Sequence, residues 1–512
     1  MVKSNFFICF SIEKNFFYIK EKVMQEFLDG LLNVVQTVNA YLSDYILIIL
    51  LVGVGIFYTI KTRFVQVRCF KQGMKQVFGN LKLHGGKQKS GMSSFQAFAT
   101  AVAAQVGTGN IIGASGAILA GGPGAIFWMW VIAFFGMATN YSEAVLAQRT
   151  KLLNPDGSVS GGPVYYIKQA FKGKFGKFLA GFFAVATIIA LGFVGSMVQS
   201  NSIAGAVQNV TGLSDDLKWI IGLVIALLAA AVFIGGVSRL ASVTEKIVPV
   251  MACIYLLGGL IIICCNITVL PEAFAMIFKF AFVPQAVIGG GIGAALKMAI
   301  SQGAKRGLFS NEAGMGSTPH AHAQANVDTA HQQGVSAMIG VFFDTFVVLT
   351  MTALVVITSL YAGDGVLLTP GSADALGINK NNLVQNAIAN VFNGSNLGLT
   401  IGGIFVAVCL FFFAFSTILS WNLFGKINFT YLFGKKSVLV YTIIAIAFVF
   451  LGSIFQSDLV WELTDFFNYL MVLPNVLAMF ALSKLVINEL KTNGKKSVGK
   501  TPNVPLDEKL GE

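Results

Sequence analysis

Long apolar stretches, separated by short polar segments, run through most of the chain. Eleven of them approach or exceed the roughly 20 apolar residues that a helix needs to cross the hydrocarbon core of a bilayer. They cover residues 45–60, 95–120, 124–147, 177–199, 217–236, 245–267, 287–316, 334–360, 397–422, 437–455 and 461–486. This pattern predicts an all-α integral membrane protein with about eleven transmembrane helices.

Two of these stretches are interrupted by glycine and polar residues, at Gly107–Asn110 and at 307–317. A broken helix leaves backbone groups unpaired, which a membrane tolerates only where they are buried in protein or line a cavity. The interruptions lie five crossings apart, so the crossings after the peripheral helix at 45–60 form two five-helix repeats of opposite orientation, 95–267 and 287–486. Paired interruptions in inverted repeats indicate the binding site of a secondary transporter.

The composition agrees with a membrane protein and excludes a soluble module. Hydrophobic residues make up 55% of the chain and charged residues 11%, against about 25% charged residues in average soluble domains. The mean hydropathy is +0.74. The net charge of +12 does not indicate a nucleic-acid partner, because the basic residues cluster between the apolar stretches instead of alternating with aromatic residues.

The basic residues also predict the orientation of the chain. Segment 61–90 holds eight Lys and Arg residues and no acid, which places it in the cytoplasm by the positive-inside rule. Alternation of sides then puts the C-terminal tail, 487–512, in the cytoplasm of a multi-pass plasma-membrane protein. Residues 1–44 are expected to be an N-terminal extension, of which 1–23 have no structural role.

Other function classes lack their signatures in this sequence. The six cysteines show no Cys-x-x-Cys spacing, so a disulfide framework or a zinc site is not expected. His320, His322 and His331 have no acid or cysteine cluster around them and are expected to be loop residues on the cytoplasmic side. No nucleophile–base pair indicates an enzyme, and no repeated filter loop or ring of charges indicates a channel.

Four motifs resemble a known family. The segment Gly121–Gly136, Gly-Gly-Pro-Gly-Ala-Ile-Phe-Trp-Met-Trp-Val-Ile-Ala-Phe-Phe-Gly, resembles the signature of the sodium:alanine symporters, also called alanine or glycine:cation symporters. Gly107–Asn110, Gly161–Tyr166 and Leu308–Gly316 resemble other recurring segments of that family, and the similarity runs from about residue 24 to 490. The resemblance implies a five-plus-five inverted repeat of the leucine-transporter type with one extra N-terminal helix. It also implies uptake of alanine or glycine with Na⁺.

A zwitterionic amino acid needs donors for its carboxylate and acceptors for its ammonium group. N–H groups at the start of the half-helix near Gly109 and Asn110 can hold the carboxylate, and carbonyls of the second break can hold the ammonium. The alternatives are helix packing by the glycines and a kinked helix satisfied by its own side chains. The predicted substrate-binding residues are Gln105, Gly107, Thr108, Gly109, Asn110, Phe309, Ser310, Asn311, Thr417 and Trp421.

Sodium is a hard cation that prefers oxygen ligands. Carbonyls that end the half-helix before the first break, at Ala104 and Val106, can supply two of them. The adjacent hydroxyls of Ser416 and Thr417 on the ninth crossing can supply the others, as the corresponding helix does in the fold that the resemblance implies. Alternatively, the two hydroxyls only bond the preceding turn of their own helix. Trp421 shares a helix face with Thr417 and could wall the substrate pocket.

The acids inside the apolar stretches leave several alternatives open. Asp344 could serve in ion or proton coupling, or it could neutralise a buried Lys or Arg. Arg306 is expected to pair with Glu312 or Glu143. The residues do not distinguish alanine from glycine or serine, nor Na⁺ coupling from proton coupling or a facilitative pore, and they leave the oligomeric state open.

Overall fold

The computed structural model describes residues 26, 28–79, 91–155, 157–283, 292–368, 372–455 and 457–492. The expectations for residues 1–23 and for the tail beyond residue 492 lie outside the described residues. So do three of the basic residues that orient the chain, Lys82, Lys87 and Lys89.

Almost all of the described chain is helical. A π-helical turn, Leu42–Leu47, leads into the first long helix. In chain order the helices are α1 (Ile48–Lys61), α2 (Val65–Arg68), α3 (Phe70–Phe78), α4 (Ser94–Gln105), α5 (Gly109–Gly121), α6 (Gly124–Thr150), α7 (Pro163–Ala170), α8 (Gly173–Thr211), α9 (Asp215–Phe233), α10 (Gly236–Cys265), α11 (Leu270–Phe282), α12 (Ile292–Asn311), α13 (Pro319–Ala323), α14 (Ala330–Leu360), α15 (Ser372–Ala375), α16 (Leu383–Val391), α17 (Asn396–Phe433), α18 (Lys435–Gly452), α19 (Asp458–Ala481) and α20 (Ser483–Thr492).

The helices confirm an all-α membrane fold. Within the described ranges, eight helices are long and apolar enough to cross a bilayer, and the bent pair α4–α5 makes a ninth. Apolar side chains on α9 and α18 stay exposed, including Leu227 at 62% and Ile443 at 60%, as expected for surfaces that face lipid. The number of eleven crossings stays a prediction, because α1 has 14 residues and α12 carries three basic residues.

Several helices are longer than the apolar stretches that predicted them. Helix α17 has 38 residues, whereas the apolar pattern gave 397–422. The prediction counted only residues that fit the bilayer core, but a helix continues wherever its backbone bonds and packing remain favourable. The connecting helices α7, α11 and α16 were not predicted, because each is shorter than a membrane crossing.

Two capping boxes start α4 and α14 at the same end of the molecule. The Ser93 hydroxyl accepts from the Gln96 N–H and the Gln96 side chain accepts from the Ser93 N–H, and Thr329 and Gln332 repeat the arrangement. The two-residue strands before these helices, β1 (Met92–Ser93) and β4 (Ala325–Asn326), pair in parallel. A second pair, β2 (Leu152–Leu153) and β3 (Val159–Ser160), is antiparallel.

Side chains from the end of α6 reinforce the β1–β4 pair. Gln148 Nε2 donates to the carbonyl of Ala325 at 3.0 Å, and Lys151 Nζ donates to the same oxygen at 2.7 Å. The Met92 N–H donates to the carbonyl of Gln324 at 2.8 Å. The segments that enter α4 and leave α13 are therefore tied to each other and to α6.

Candidate functional site

The first break separates α4 from α5, which are bent by 44° relative to each other. Helix α4 ends at Gln105, and Val106 has non-helical angles of φ −80° and ψ 82°. The chain resumes as a π-helical turn, Gly109–Gly113. The Asn110 side-chain oxygen accepts a hydrogen bond from the Gly107 N–H at 3.0 Å. This bond pairs one of the backbone N–H groups that the break exposes, and other backbone groups of the break need partners from neighbouring helices.

The second break lies between α12 and α13. Three residues in it have left-handed backbones, Glu312 (φ 56°), Gly314 (φ 87°) and Gly316 (φ 81°). The run Gly303–Gly307 is helical, so the break centres on the later of the two positions that the glycine pattern allows. The N–H groups of Gly314 and Gly316 donate to the Glu143 carboxylate at 3.1 and 3.0 Å.

The two breaks contact each other directly. A Cβ on Gly109 would lie 3.1 Å from Phe309 Cδ1 and 3.1 Å from Ser310 Cα. Gln105 Nε2 donates to the carbonyl of Asn311 at 2.8 Å. The structure therefore brings together the predicted substrate residues of both breaks, and all of them are buried: Gln105, Gly107, Thr108, Gly109, Asn110, Phe309, Ser310 and Asn311.

Asp344 lies where the breaks meet. It belongs to a π-helical stretch of α14, Phe342–Leu349. Its carboxylate accepts from Asn110 Nδ2 at 2.7 Å, from Ser310 Oγ at 2.9 and 3.0 Å and from Thr345 Oγ1 at 2.8 Å. These donors are neutral, so within the described residues Asp344 does not neutralise a buried Lys or Arg. It brings a carboxylate to both broken helices.

The predicted sodium ligands are only partly brought together. Thr417 Oγ1 donates to the carbonyl of Ala103 at 2.8 Å, not to that of Ala104 or Val106. A Cβ on Gly107 would lie 2.6 Å from the same hydroxyl, so Thr417 faces the first break as predicted.

Ser416 does not join Thr417 at the first break. Its hydroxyl donates to the carbonyl of Phe413 at 2.9 Å and lies 3.5 Å from Met251 Sδ on α10. Consecutive helical residues are turned by about 100°, so two adjacent hydroxyls cannot both face α4. Thr417 Oγ1 also lies 3.0 Å from the carbonyl of Phe413, as in the alternative in which the hydroxyl bonds the preceding turn of its own helix.

Trp421 lies beside the second break, one helical turn after Thr417. Its indole Nε1 donates to Glu312 Oε1 at 2.5 Å. Its ring meets Phe309 edge to face, with centroids 6.1 Å apart. The two aromatic rings form a buried apolar wall next to Ser310.

Comparison with known proteins identifies the family. The model of the sodium:alanine symporter family matches residues 28–504. The chain belongs to this family.

Relatives of this symporter-family chain match it over nearly their full length. The sodium/alanine symporter AgcS of Methanococcus maripaludis is 39% identical over 461 residues, which cover 90% of this chain and 96% of that protein. The putative sodium/proton-dependent alanine carrier protein YrbD of Bacillus subtilis is 40% identical and covers 89% and 91%. The probable sodium/glutamine symporter GlnT of B. subtilis is 37% identical and covers 94% of each chain. The chain is thus a membrane transporter, not an enzyme.

A solved structure shares the fold. The crystal structure of MhsT in complex with L-phenylalanine aligns with a TM-score of 0.54 and 15% identity, over 77% of this chain and 95% of that chain. This likeness confirms the leucine-transporter-type fold class that the sequence motifs implied.

Gln199 of this sodium:alanine symporter-family chain also lies at the first break, although no motif indicated it. Its Oε1 accepts from the Thr108 N–H at 3.4 Å and lies 3.4 Å from the position of a Cβ on Gly107. The sequence signal was an amide at the end of the apolar stretch 177–199. Thr108 Oγ1 and Gln105 Oε1 are buried without a hydrogen-bond partner. Buried polar atoms are nearly always paired, so these two atoms can bond a ligand, an ion or a water molecule at the first break.

The prediction for the intramembrane Arg is wrong. Arg306 pairs with Asp465 on α19 at 3.3 Å, not with Glu312 or Glu143. Arg306 lies within α12, six residues before Glu312, and α12 ends at Asn311. Arg306 is therefore on the side of the break away from α13. Glu143 instead accepts from the backbone of the second break and from Asn475 Nδ2 at 2.6 Å.

The histidines are not loop residues. His320 and His322 lie in α13 and His331 lies in α14, and all three are buried. His320 Nε2 contacts Asn428 Nδ2 at 2.7 Å, and His331 Nδ1 contacts the Tyr141 hydroxyl at 2.8 Å. The lack of an acid or cysteine cluster around the histidines suggested loop residues, but they lie in packed helices and have polar partners in other parts of the chain.

Proposed function

We propose that this chain imports small neutral amino acids, alanine and/or glycine, across the plasma membrane together with Na⁺ by alternating access. We include in this proposal the two five-helix repeats, 95–267 and 287–486, the peripheral helix at 45–60 and the cytoplasmic tail 487–512. The observation that carries it is the direct contact of two broken helices, Gly109 against Phe309 and Ser310, with Asp344 and Thr417 beside them.

The substrate fits the polarity of this arrangement. The N-terminal end of α5 presents backbone N–H groups and the positive end of a helix dipole to a carboxylate. The C-terminal end of α12 and the Gln199 side-chain oxygen present acceptors to an ammonium group. Phe309 and Trp421 supply an apolar wall for the substrate side chain, and two bulky rings at the site favour a small side chain such as that of alanine or glycine.

Sodium finds neutral oxygen atoms at the first break. The carbonyl oxygen of Ala103 and the hydroxyl of Thr417 lie 2.8 Å apart beside Gly107. Helix α4 ends there, so its last carbonyl groups lack N–H donors from a following helical turn. Sodium is cargo in this proposal and leaves with the substrate.

Replacing Thr417 with Val tests the sodium ligand. Val keeps nearly the same shape but removes an oxygen ligand of the cation, so the Na⁺ concentration for half-maximal uptake should rise by about tenfold or more, which corresponds to a loss of about 1.4 kcal/mol of binding free energy. The measurement is alanine uptake against Na⁺ concentration. Thr430→Val on the same helix, where the hydroxyl bonds only the carbonyl of Lys426, is the matched control. An unchanged sodium curve removes Thr417 from the ion site.

Replacing Trp421 with Ala tests the pocket wall. We expect alanine affinity to fall and larger residues such as leucine and methionine to compete better, with a shift in preference of roughly ten- to two-hundredfold. The measurement is competition of labelled alanine uptake by a graded amino-acid series. Trp219→Ala on α9, where the ring is 45% exposed, should leave the order unchanged. If Trp421→Ala also leaves it unchanged, Trp421 is a packing residue.

Proton coupling is the second candidate. Asp344 supports it, because a carboxylate that touches both broken helices can carry a proton as well as hold a cation. The relative YrbD is described as a putative sodium/proton-dependent alanine carrier. Uptake into proteoliposomes, with Na⁺, Li⁺ and proton gradients imposed singly, distinguishes the candidates. Accumulation driven only by Na⁺ supports the first, accumulation driven only by protons supports the second, and equilibration without accumulation indicates a facilitative pore.

A further inference from the structure

The indole of Trp421 is held on three sides. Its N–H donates to Glu312, and the edge-to-face contact with Phe309 fixes the plane of the ring. On the third side lies Gly195, in the π-helical stretch Ile188–Gly195 of α8. A Cβ on Gly195 would lie 2.6 Å from Trp421 Cζ3. Only a residue without a side chain leaves room for the indole there.

The backbone of Glu312 points to a role for its side chain. Glu312 has a φ of 56°, a left-handed conformation that is uncommon for residues other than glycine, asparagine and aspartate. Glycine would adopt it without cost, and Gly314 and Gly316 do so in the same segment. A long acidic side chain at such a position must compensate through its contacts.

Those contacts occupy both carboxylate oxygens. Oε1 accepts from the Trp421 indole, and Oε2 accepts from Ser317 Oγ at 2.5 Å. The side chain is fully buried, and no Lys or Arg of the described residues forms an ion pair with it. Glu312 therefore connects the backbone of the second break to Trp421, the part of the aromatic wall that α17 contributes.

We propose that Glu312 is a positioning residue that fixes the indole of Trp421 and thereby sets the largest side chain that the substrate site admits. This inference rests on the proposed function, in which Trp421 walls the substrate pocket. With the carboxylate in place, the six-membered ring of the indole lies against Gly195 and Phe309. Without it, the buried indole N–H loses its acceptor and the ring is free to adopt other rotamers.

The test compares the order of competing amino acids in four variants. Glu312→Ala should improve leucine relative to alanine as a competitor by about tenfold, within the range that apolar pockets discriminate. Glu312→Gln keeps an acceptor oxygen at the same reach and should retain the wild-type order. Ser317→Ala removes the other partner of the carboxylate without touching the indole, and should also retain it. Trp421→Phe removes the N–H and should shift the order in the direction of Glu312→Ala.

A double variant separates positioning from simple packing. If Glu312 acts through the indole N–H, Glu312→Ala should add little to the change in selectivity that Trp421→Phe already causes. Fully additive shifts, or a wild-type order in Trp421→Phe, overturn the proposal. If Glu312→Ala folds poorly, Glu312→Gln still tests the idea, because a changed order of competitors in that variant overturns it. If the wild-type protein transports no amino acid, the proposed function fails and this inference fails with it. Wild-type transport with an unchanged order in Glu312→Ala contradicts the inference alone.

Discussion

Replacing Asp344 with Asn should abolish ion-driven accumulation of the substrate. Asn keeps the size of the side chain but removes the negative charge to which Asn110, Ser310 and Thr345 donate. The NH₂ group of the new amide would also be a hydrogen-bond donor placed among the donor groups of Asn110, Ser310 and Thr345. Hydrogen bonds to charged groups are worth roughly 1.5–3 kcal/mol each, so the loss of two of them predicts a fall in coupled uptake of about 100-fold or more.

The measurement is the initial rate of labelled alanine uptake under an imposed ion gradient, set beside alanine exchange without a gradient. Loss of gradient-driven uptake with exchange retained assigns Asp344 to coupling, whereas loss of both assigns it to binding or folding. Asp364→Asn, an exposed acid in the segment after α14, is the matched control. Coupled uptake at the wild-type rate in Asp344→Asn contradicts a role for this carboxylate.

Replacing Gly107 with Ala should reduce transport by about 100-fold while the protein still folds. The added Cβ would lie 2.6 Å from Thr417 Oγ1 and 3.4 Å from Gln199 Oε1, so it occupies the space between the first break and α17. Overpacking costs roughly 1–3 kcal/mol, and a cost of about 2.7 kcal/mol at the site corresponds to the expected factor.

Gly205→Ala is the control for this substitution, since a Cβ on Gly205 of α8 meets nothing within 4 Å. Both variants are compared by uptake and by thermal unfolding of the purified protein. A matched melting temperature with lost uptake locates the effect at the site. Normal uptake by Gly107→Ala shows that the ion and substrate do not use this gap.

Local sequence was enough to find the broken helices. Glycines and polar residues inside an apolar stretch have few explanations in a bilayer, because unpaired backbone must be satisfied by something. The contact between Gly109 and Ser310 follows from the same reasoning, since paired breaks in inverted repeats share one site. The structure added that Gln105 bonds the carbonyl of Asn311 across that contact.

Contacts between distant segments could not be predicted in the same way. Arg306 pairs with Asp465, which lies 159 residues later, and no local spacing indicates that choice. The directions of Ser416 and Thr417 depend on the rotation of α17 about its axis, which packing against α4 and α10 decides.

The π-helical stretches are a further difference between sequence and structure. Three of them, Gly109–Gly113, Ile188–Gly195 and Phe342–Leu349, carry Asn110, Gly195 and Asp344 to the site. Apolar periodicity alone does not distinguish an α-helix from a helix with one inserted residue, although such insertions often occur at functional sites. Gln199 follows the stretch Ile188–Gly195. An inserted residue rotates the helix that follows it, so α-helical spacing does not predict which face of α8 carries the Gln199 side chain.

The β1–β4 pair, with Gln148 and Lys151 bonded to Ala325, has a consequence for the conformational equilibrium. Any motion that separates the start of α4 from the end of α13 must break these bonds. Each is worth roughly 0.5–1.5 kcal/mol, so the three bonds described above oppose that separation by roughly 1.5–4.5 kcal/mol. To change the ratio of two conformations from 99:1 to 1:99, a ligand must bind the second about 5.5 kcal/mol more tightly than the first. If the segments separate during transport, differential binding of the cargo must supply free energy of this order.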